Sequence, residues 1–272
     1  MPEGDTIASA AKRIRAAVIG KPIESVETLH PRFAMDRWDQ KLAGRDVRAV
    51  DTHGKNLLLR FDGGLTVYSH LRMGGWWGVT RRGERWRRSP RRAWLVIRTP
   101  EHEVVQFDGP ILELMTDGRS RTDQRLAALG PDILAPDGFD EAAFLHNLRS
   151  NDHTRGIGDA VLDQRIIAGM GTIWKAEGCF IAGIDPWRKV GDVSNEEALS
   201  IVRAARPLMQ MSVENNGRPV TWRPEVPPRG RENRFWVFNR AGLPCRRCDT
   251  IVLQRGQGDD NRRTFWCPEC QS

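Results

Sequence analysis

The first twenty residues of the chain carry apolar side chains at helical spacing. Four of them would form one stripe on a helix: Ile7, Ala11, Ile14 and Val18. We therefore predict an amphipathic helix over residues 5–19. Asp5 or Thr6 can cap the start of this helix, and Gly20 can end it.

From about residue 23 to residue 115 the pattern changes to short runs in which apolar and polar side chains alternate, with Gly pairs and Asp-Gly between them. Alternation with a period of two is typical of a strand that is buried on one face. The clearest runs are VRAVDTHG, NLLLRFDGG, LTVYSHL, AWLVIRT and EVVQF. Residues 1–123 are therefore predicted to form a β-rich domain, a sandwich or a barrel, with a helix preceding it.

Residues 124–234 have the pattern of a linker and a helical domain. A segment rich in Pro and Gly is followed by the helical DEAAFLHNLRS, then by two short helices that meet at residues 168–171. A further helix is predicted over about 195–211. The stretch 213–234 is rich in Pro, Gly and Arg and lacks periodicity, so it is predicted to be a long exposed loop.

The composition is that of a globular chain, with 39% hydrophobic and 28% charged residues. There is no run of about 18 apolar residues, so no membrane span is expected. The start MPEGDT is acidic, whereas a secretory signal needs a basic flank and an apolar core. We therefore expect a cytoplasmic protein that does not bind membranes.

Arginine is concentrated in two stretches. Residues 72–98 hold nine arginines and one acid, and residues 218–263 hold eleven arginines and five acids. A guanidinium group can bind two phosphate oxygens at once, so such clusters favour a polyanionic partner. A solvated charged face is the alternative for each cluster, and the net charge of +7 does not by itself decide between them.

Residues 235–272 contain two Cys-x2-Cys pairs separated by eighteen residues: Cys245 and Cys248, then Cys267 and Cys270. Two such pairs on facing strands can hold one tetrahedral metal ion, and the intervening TIVLQRG and RRTFW have strand character. Two disulfides are the alternative, which a cytoplasmic location disfavours. We predict one structural zinc ion (Zn) that folds a hairpin whose own core is too thin.

The start of the chain offers a nucleophile. Removal of Met1, which a small second residue favours, would leave Pro2 as a secondary amine that can attack an aldehyde-like carbon. The adjacent Glu3 could act as an acid or a base, and Gly4 would let the backbone bend toward a pocket. Taken alone this signal is weak, because an ordinary exposed helix start also explains PEGD.

Six motifs follow one another along the chain: MPEG at the start, THGKNLLL at 52–59, YSHLRM at 68–73, LGPD at 129–132, VLDQRIIAGMGTIWKAE at 161–177 and RRTFWCPEC at 262–270. In this order they resemble the formamidopyrimidine-DNA glycosylase/endonuclease VIII family over essentially the whole chain. PEGDT is more similar to the endonuclease VIII branch. The resemblance implies an α+β multidomain fold, with an N-terminal β-sandwich flanked by helices and a C-terminal helix–two-turn–helix domain that carries a zinc-ribbon hairpin.

The resemblance also implies a bifunctional DNA glycosylase and AP lyase of base excision repair. A damaged base is flipped out of the duplex, and Pro2 displaces it at C1′ and forms a Schiff base. Glu3 protonates the ring oxygen of the sugar. Lys55 holds the phosphate beside the lesion and assists β-elimination. Arg262 clamps a phosphate and aids δ-elimination, with Arg263 as the alternative for that role.

Other residues are expected to contact DNA. Arg72 and Met73 match the family loop that fills the gap left by the flipped base, with Met73 as the apolar wedge; a core position for Met73 is the alternative. His70 is expected to touch a phosphate or to hold a buried hydrogen bond. Thr172 stands where the family usually has Asn, and it can still donate to phosphate with a shorter reach. Glu177 matches a family acid and is expected to be structural.

The expected partner is double-stranded DNA containing damaged bases or abasic sites, and the protein is expected to act as a monomer at the bacterial nucleoid. Oxidised pyrimidines are the first expectation for the substrate, and oxidised purines are the alternative within the same fold. A catalytically lapsed lesion-binding protein is a third hypothesis, which the intact Pro2, Glu3, Lys55 and Arg262 oppose. A zinc-ribbon regulator is a fourth, which leaves the N-terminal motif unexplained.

Overall fold

A computed structural model of the protein describes residues 2–33, 35–223 and 234–272. The chain divides into two compact units, Met1–Ala128 and Leu129–Ser272. In the described ranges, no helix is both long and apolar enough to cross a bilayer.

The first unit is a β-sandwich, which confirms the predicted fold class. Its two antiparallel sheets have four strands each, in the orders β1-β6-β7-β5 and β2-β3-β4-β8. The strands are β1 Ser25–Thr28, β2 Val47–His53, β3 Asn56–Phe61, β4 Leu65–His70, β5 Trp76–Arg81, β6 Ala93–Arg98, β7 His102–Phe107 and β8 Ile111–Thr116. Apolar residues of both sheets share one buried cluster, among them Leu59, Val67, Leu95 and Val104. This cluster is the core between the sheets.

Helix α1, Gly4–Val18, closes one side of the sandwich, because it contacts the edge strands β2 and β5. Its buried face includes the predicted stripe of Ile7, Ala11, Ile14 and Val18. The expectation that Asp5 or Thr6 caps the helix is wrong. The helix begins at Gly4 with Glu3 as the N-cap residue, and Asp5 is buried in the first turn. Short helices α2 Trp38–Leu42, α3 Asp117–Thr122 and α4 Gln124–Ala127 complete the unit.

The second unit is helical, as predicted. It contains α5 Glu141–Arg149, α6 Ile157–Ala160, α7 Thr172–Ala182 and α8 Asn195–Glu214. Helix α8 starts with a capping box formed by Ser194 and Glu197. The helix ends three residues beyond the predicted 211, so the first two residues of the expected 213–234 loop are helical. Of that loop, residues 224–233 lie outside the described part of the chain.

The C-terminal segment forms the predicted hairpin, with β9 Leu253–Gln257 antiparallel to β10 Arg262–Trp266. Val252 and Phe265 of the hairpin share a buried cluster with Phe180 of α7 and with Val237. The hairpin therefore packs on the helix that carries the GTIWKAE motif.

Candidate functional site

The start of the chain is held against the first unit by the first turn of α1. Pro2 is half-buried, and Glu3 is 1% exposed. The backbone carbonyl of Glu3 accepts a hydrogen bond from the N–H of Ile7 at 3.1 Å. The helix dipole favours a negative charge at this position, although the Glu3 side chain makes no capping hydrogen bond to the first turn of α1. The buried Glu3 therefore directly follows Pro2 at the start of helix α1.

Lys55 lies at the tip of the β2–β3 hairpin. The connection has two residues, Gly54 and Lys55, because His53 and Asn56 are paired across the strands. Gly54 adopts φ 58°, the left-handed conformation that a tight two-residue hairpin loop requires. Lys55 is half-buried, and its backbone position is set by the register of the sheet.

His70 lies at the same end of this sheet, paired with Asn56 across β3 and β4. Burial, together with the positive charges of Arg72 and Lys55, lowers the pKa of His70 to about 4. The ring is therefore neutral near pH 7. Its Nδ1 accepts a hydrogen bond from the backbone N–H of Arg72 at 3.2 Å, which places the ring proton on Nε2. Lys55 and Arg72 thus place two positive charges near the neutral His70 ring at one end of the sheet.

The segment after β4 forms a tight turn, residues 72–74, which we call the wedge turn. Arg72 adopts φ 49°, and the N–H of Gly75 donates to the carbonyl oxygen of Leu71 at 3.0 Å. Met73 is 63% exposed, so the alternative of a core position for Met73 is wrong. Trp77, by contrast, is 1% exposed in the core between the sheets.

In the second unit, Thr172 is the first residue of α7 and is 8% exposed. The turn before it is held by Gln164. The side-chain amide of Gln164 donates to the carbonyl oxygen of Met170 at 3.0 Å, and its oxygen accepts from the N–H of Gly169 at 3.0 Å. Gln164 belongs to the VLDQ part of the motif, and the sequence pattern alone did not reveal this role.

Glu177 of α7 is fully buried and binds the segment that leads into the hairpin. Its carboxylate accepts hydrogen bonds from the N–H groups of Trp236, Val237 and Phe238 at 2.8–3.0 Å, and from the hydroxyl of Thr221. Burial raises the pKa of Glu177, and these donors oppose that shift. The contacts support the structural role expected for this acid.

The four predicted metal ligands lie together. The sulfur atoms of Cys245, Cys248, Cys267 and Cys270 are all within 4.8 Å of one another. Three of the pairs are 3.3–3.8 Å apart. Ligand bonds of about 2.3 Å in a tetrahedron separate the sulfurs by roughly 3.8 Å, so the cluster fits one tetrahedral metal ion.

The two candidate arginines occupy neighbouring positions on β10. Arg262 is half-buried, is paired with Gln257 across the hairpin and binds Asp260 at 3.1 Å. Arg263 is exposed. Successive side chains of a strand point to opposite faces, so the two guanidinium groups leave the hairpin in different directions.

Lys175, a buried lysine of α7, links that helix to the hairpin strands next to Arg262. Lys175 lies one turn after Thr172 and is 0% exposed. Its ammonium group donates to Thr264 and, at 3.4 Å, to Gln257, the residue that pairs with Arg262. Hydrogen bonds from Lys175 therefore connect helix α7 to the β9–β10 hairpin, which carries Arg262 and Arg263. No sequence pattern indicated that Lys175 is buried, because a lysine on a helix is usually solvated.

Comparison with known proteins agrees with this geometry. The family models for the formamidopyrimidine-DNA glycosylase N-terminal domain and H2TH domain match residues 1–116 and 129–223. The probable endonuclease 8 2 of Streptomyces coelicolor is 40% identical over all of this chain and 94% of its own. The chain belongs to the formamidopyrimidine-DNA glycosylase family. This confirms the resemblance inferred from the six motifs.

Other members of the formamidopyrimidine-DNA glycosylase family match over similar lengths. The DNA-(apurinic or apyrimidinic site) lyase Nei2 of Mycolicibacterium smegmatis is 35% identical, covering all of this chain and 99% of that protein. The solved complex of Lactococcus lactis Fpg (MutM) with DNA containing N7-benzyl-Fapy-dG covers both chains fully, with a TM-score of 0.80 at 21% identity. That likeness shows that the fold is shared. The named relatives confirm the endonuclease 8 branch that PEGDT indicated.

Proposed function

We propose that the protein is a bifunctional DNA glycosylase and AP lyase of base excision repair that acts as a monomer on damaged double-stranded DNA. Two relatives that match the full chain are named probable endonuclease 8 2 and DNA-(apurinic or apyrimidinic site) lyase Nei2. The observation that carries the proposal is the position of Pro2 next to the buried Glu3, on the first turn of α1. An amine and a carboxyl group held side by side can perform covalent acid–base chemistry on a sugar.

In the proposed reaction, Met1 is removed and the nitrogen of Pro2 attacks C1′ of the flipped nucleotide. The C1′–N bond to the damaged base breaks as the new N–C1′ bond forms, and the base leaves with a proton. Glu3 donates a proton to the ring oxygen as the C1′–O4′ bond opens, which leaves an iminium ion between Pro2 and the sugar. Loss of a C2′ proton then expels the 3′ phosphate. A second elimination expels the 5′ phosphate, and water releases the sugar fragment from Pro2.

Cationic and neutral donors would hold the phosphates of this strand. Lys55, at the tip of a rigid hairpin, holds the phosphate beside the lesion and assists the first elimination. His70 donates through Nε2, and Arg72 adds charge at the same end of the sheet. Salt-dependent contacts of this kind supply most of the affinity for DNA without reading its sequence.

The second unit would bind phosphate at two further places. Thr172 donates from the start of α7, where the helix N-terminus favours an anion. Arg262 clamps a phosphate and aids the second elimination, because its hairpin position is fixed through Gln257 and Lys175. Arg263 is exposed and is assigned to general phosphate binding. Met73, exposed on the wedge turn, would enter the duplex and fill the space of the flipped base.

The metal ion is proposed to be zinc. Four thiolates in a tetrahedron are the donor set that Zn²⁺ prefers, and such a site has no open position for a substrate. The ion would therefore fold the hairpin and support Arg262, and it would take no part in the bond-breaking steps. Oxidised pyrimidines are the proposed substrate class, and assays on duplexes with thymine glycol or 8-oxoguanine distinguish them from oxidised purines.

Borohydride trapping on an abasic-site duplex tests the proposal. Borohydride reduces the iminium ion to a stable amine, so we expect a covalent protein–DNA band with processed wild-type protein. A preparation that keeps Met1 should lose the band, because the nitrogen of Pro2 is then an amide. Pro2→Gly should weaken the band, because a primary amine replaces the proline secondary amine. Tight DNA binding without a trapped band would show a lesion-binding protein instead of an enzyme.

A further inference from the structure

The segment between β5 and β6, residues 82–92, runs along the sheet from one end to the other. Strands β5 and β6 lie on either side of β7, and Trp76 and Ala93 both pair with Phe107. The two strands therefore start at the same end, and residues 82–92 must return to that end. We call this segment the crossover. Its return point lies next to the wedge turn, because β5 begins directly after that turn.

Side chains of the crossover fix it to the sheet. Arg82 donates to the carbonyl oxygen of Thr99 at 3.1 Å. The indole N–H of Trp86 donates to Glu103 at 2.7 Å, and its ring packs edge-on against Phe107. The crossover is therefore an ordered element on which an arginine can be held in one place.

Arg88 connects the crossover to the wedge turn. Its Nη1 donates to the backbone carbonyl oxygen of Gly74 at 2.9 Å and to the carboxylate of Asp108 at 3.0 Å. The guanidinium carbon lies 5.4 Å from the centre of the Trp76 ring, within cation–π range. Two hydrogen bonds and a ring contact thus determine where this side chain can be.

Asp108 is fixed in turn by Arg92. Its carboxylate accepts from Nε of Arg92 at 3.0 Å, and its backbone N–H donates to the carbonyl oxygen of Arg92 at 3.0 Å. The side chain of Asp108 is 26% exposed, and that of Arg88 is 30% exposed. A largely buried charge pair with several partners is more rigid than a pair on the surface.

The backbone of the wedge turn has little freedom within these contacts. A Cβ atom on Gly75 would lie 2.7 Å from the carbonyl oxygen of Leu71, so the return of the chain at this point requires glycine. The carbonyl group of Gly74 is the point at which Arg88 acts. Met73 directly precedes Gly74 in this turn, so contacts that fix the Gly74 carbonyl and the Gly75 N–H limit the conformations open to the Met73 backbone.

We propose that Arg88 is a positioning residue for the wedge: it holds the Gly74 carbonyl so that Met73 projects outward before DNA arrives. The inference rests on the proposed function, in which Met73 fills the gap of the flipped base. A wedge that is ordered in advance enters the duplex without first paying the entropy of ordering its own turn. Loss of Arg88 should therefore slow the step that flips a base, and leave later steps alone.

The test compares Arg88→Ala with Arg91→Ala in single-turnover assays on a duplex with a damaged base. Arg91 lies in the same crossover and is exposed, so its variant loses the same charge without touching the wedge turn. We expect Arg88→Ala to lower the excision rate roughly tenfold more than Arg91→Ala does, the effect of one charged hydrogen bond. Cleavage of a preformed abasic site should change less than about twofold, because no base remains to be unstacked. Arg88→Lys should recover part of the rate.

A double-mutant cycle with Met73→Ala separates positioning from general destabilisation. If Arg88 acts through Met73, adding Arg88→Ala to the Met73→Ala protein costs nothing further. An equal loss in both backgrounds, or the same loss for Arg88→Ala and Arg91→Ala, would overturn the inference while the proposed function stands. A wild-type protein that excises no base, or whose excision is unchanged by Met73→Ala, would overturn the wedge assignment itself and the inference with it.

Discussion

Four hydrogen-bond donors converge on the fully buried carboxylate of Glu177. The stability lost when this residue is replaced can therefore be predicted. The N–H groups of Val237 and Phe238 point to one oxygen, and the N–H of Trp236 and the hydroxyl of Thr221 point to the other. These contacts bind Thr221 and residues 236–238, the segment that leads into the β9–β10 hairpin. Replacing Glu177 by Gln keeps the shape and the size of the side chain, and changes one acceptor oxygen into an NH2 donor.

The amide nitrogen of Gln would face Thr221 and Trp236. The hydroxyl of Thr221 can accept from it and redirect its own proton to the carbonyl oxygen of Arg234, which is 3.3 Å away. The N–H of Trp236 has no such alternative, because a donor then faces a donor. One buried N–H without an acceptor costs about 1–3 kcal/mol, and the remaining bonds lose their charged acceptor. Relief from burying a charge offsets part of this, so we expect Glu177→Gln to cost about 2 kcal/mol.

Urea unfolding followed by tryptophan fluorescence, with zinc present, measures this loss as a lower midpoint for the transition of the second unit. Glu196→Gln is the matched control, since it makes the same chemical change at a side chain that is 77% exposed and paired with Arg203. That exposed pair should contribute about 0–1 kcal/mol. If the two variants unfold at the same urea concentration, the four donors around Glu177 do not stabilise the second unit by the expected amount.

Two further predictions concern titration and the metal. The pKa of His70 is lowered from 6.5 to about 4, so the unfolded chain takes up this proton first as the pH falls. The contribution of His70 to stability should be complete above about pH 6.5 and should be lost progressively as the pH falls to about 4. Thermal unfolding of His70→Gln should lack this part of the pH dependence. Metal analysis should find about one zinc ion per chain of the wild-type protein. Cys248→Ser should lose both the bound zinc and strand cleavage at abasic sites. One zinc per chain in Cys248→Ser protein would contradict the four-thiolate site.

Helices and strands whose apolar side chains recur at regular spacing could be predicted from the sequence. The stripe of α1 lies on its buried face, and the cysteine spacing located the hairpin. Strand β5 was not among the predicted runs, because Trp76 and Trp77 are adjacent and apolar. The structure explains the lost alternation: Trp77 faces the core between the sheets, whereas Trp76 packs under the crossover with Trp86 and Phe107. A strand covered on both faces has no polar side to reveal it.

The candidate site residues divide in the same way. Motifs singled out Pro2, Glu3, Lys55 and the cysteines as candidates, because their chemistry is evident from residue type and spacing. Lys175 and Arg88, by contrast, donate hydrogen bonds to residues that are distant in sequence, Thr264 and Gly74. No local pattern encodes such pairs, because burial of a lysine or the direction of an arginine depends on which elements the fold brings beside it.

The two-residue turn of Gly54 and Lys55 limits what natural variation this hairpin can tolerate. Each strand residue alternates sides, so one inserted residue would turn the lysine amine to the opposite face of the sheet. Replacing Gly54 by a residue with a side chain would strain the backbone at φ 58°. Among descendants of this gene, we therefore expect the length of this connection to be kept even where neighbouring loops gain or lose residues.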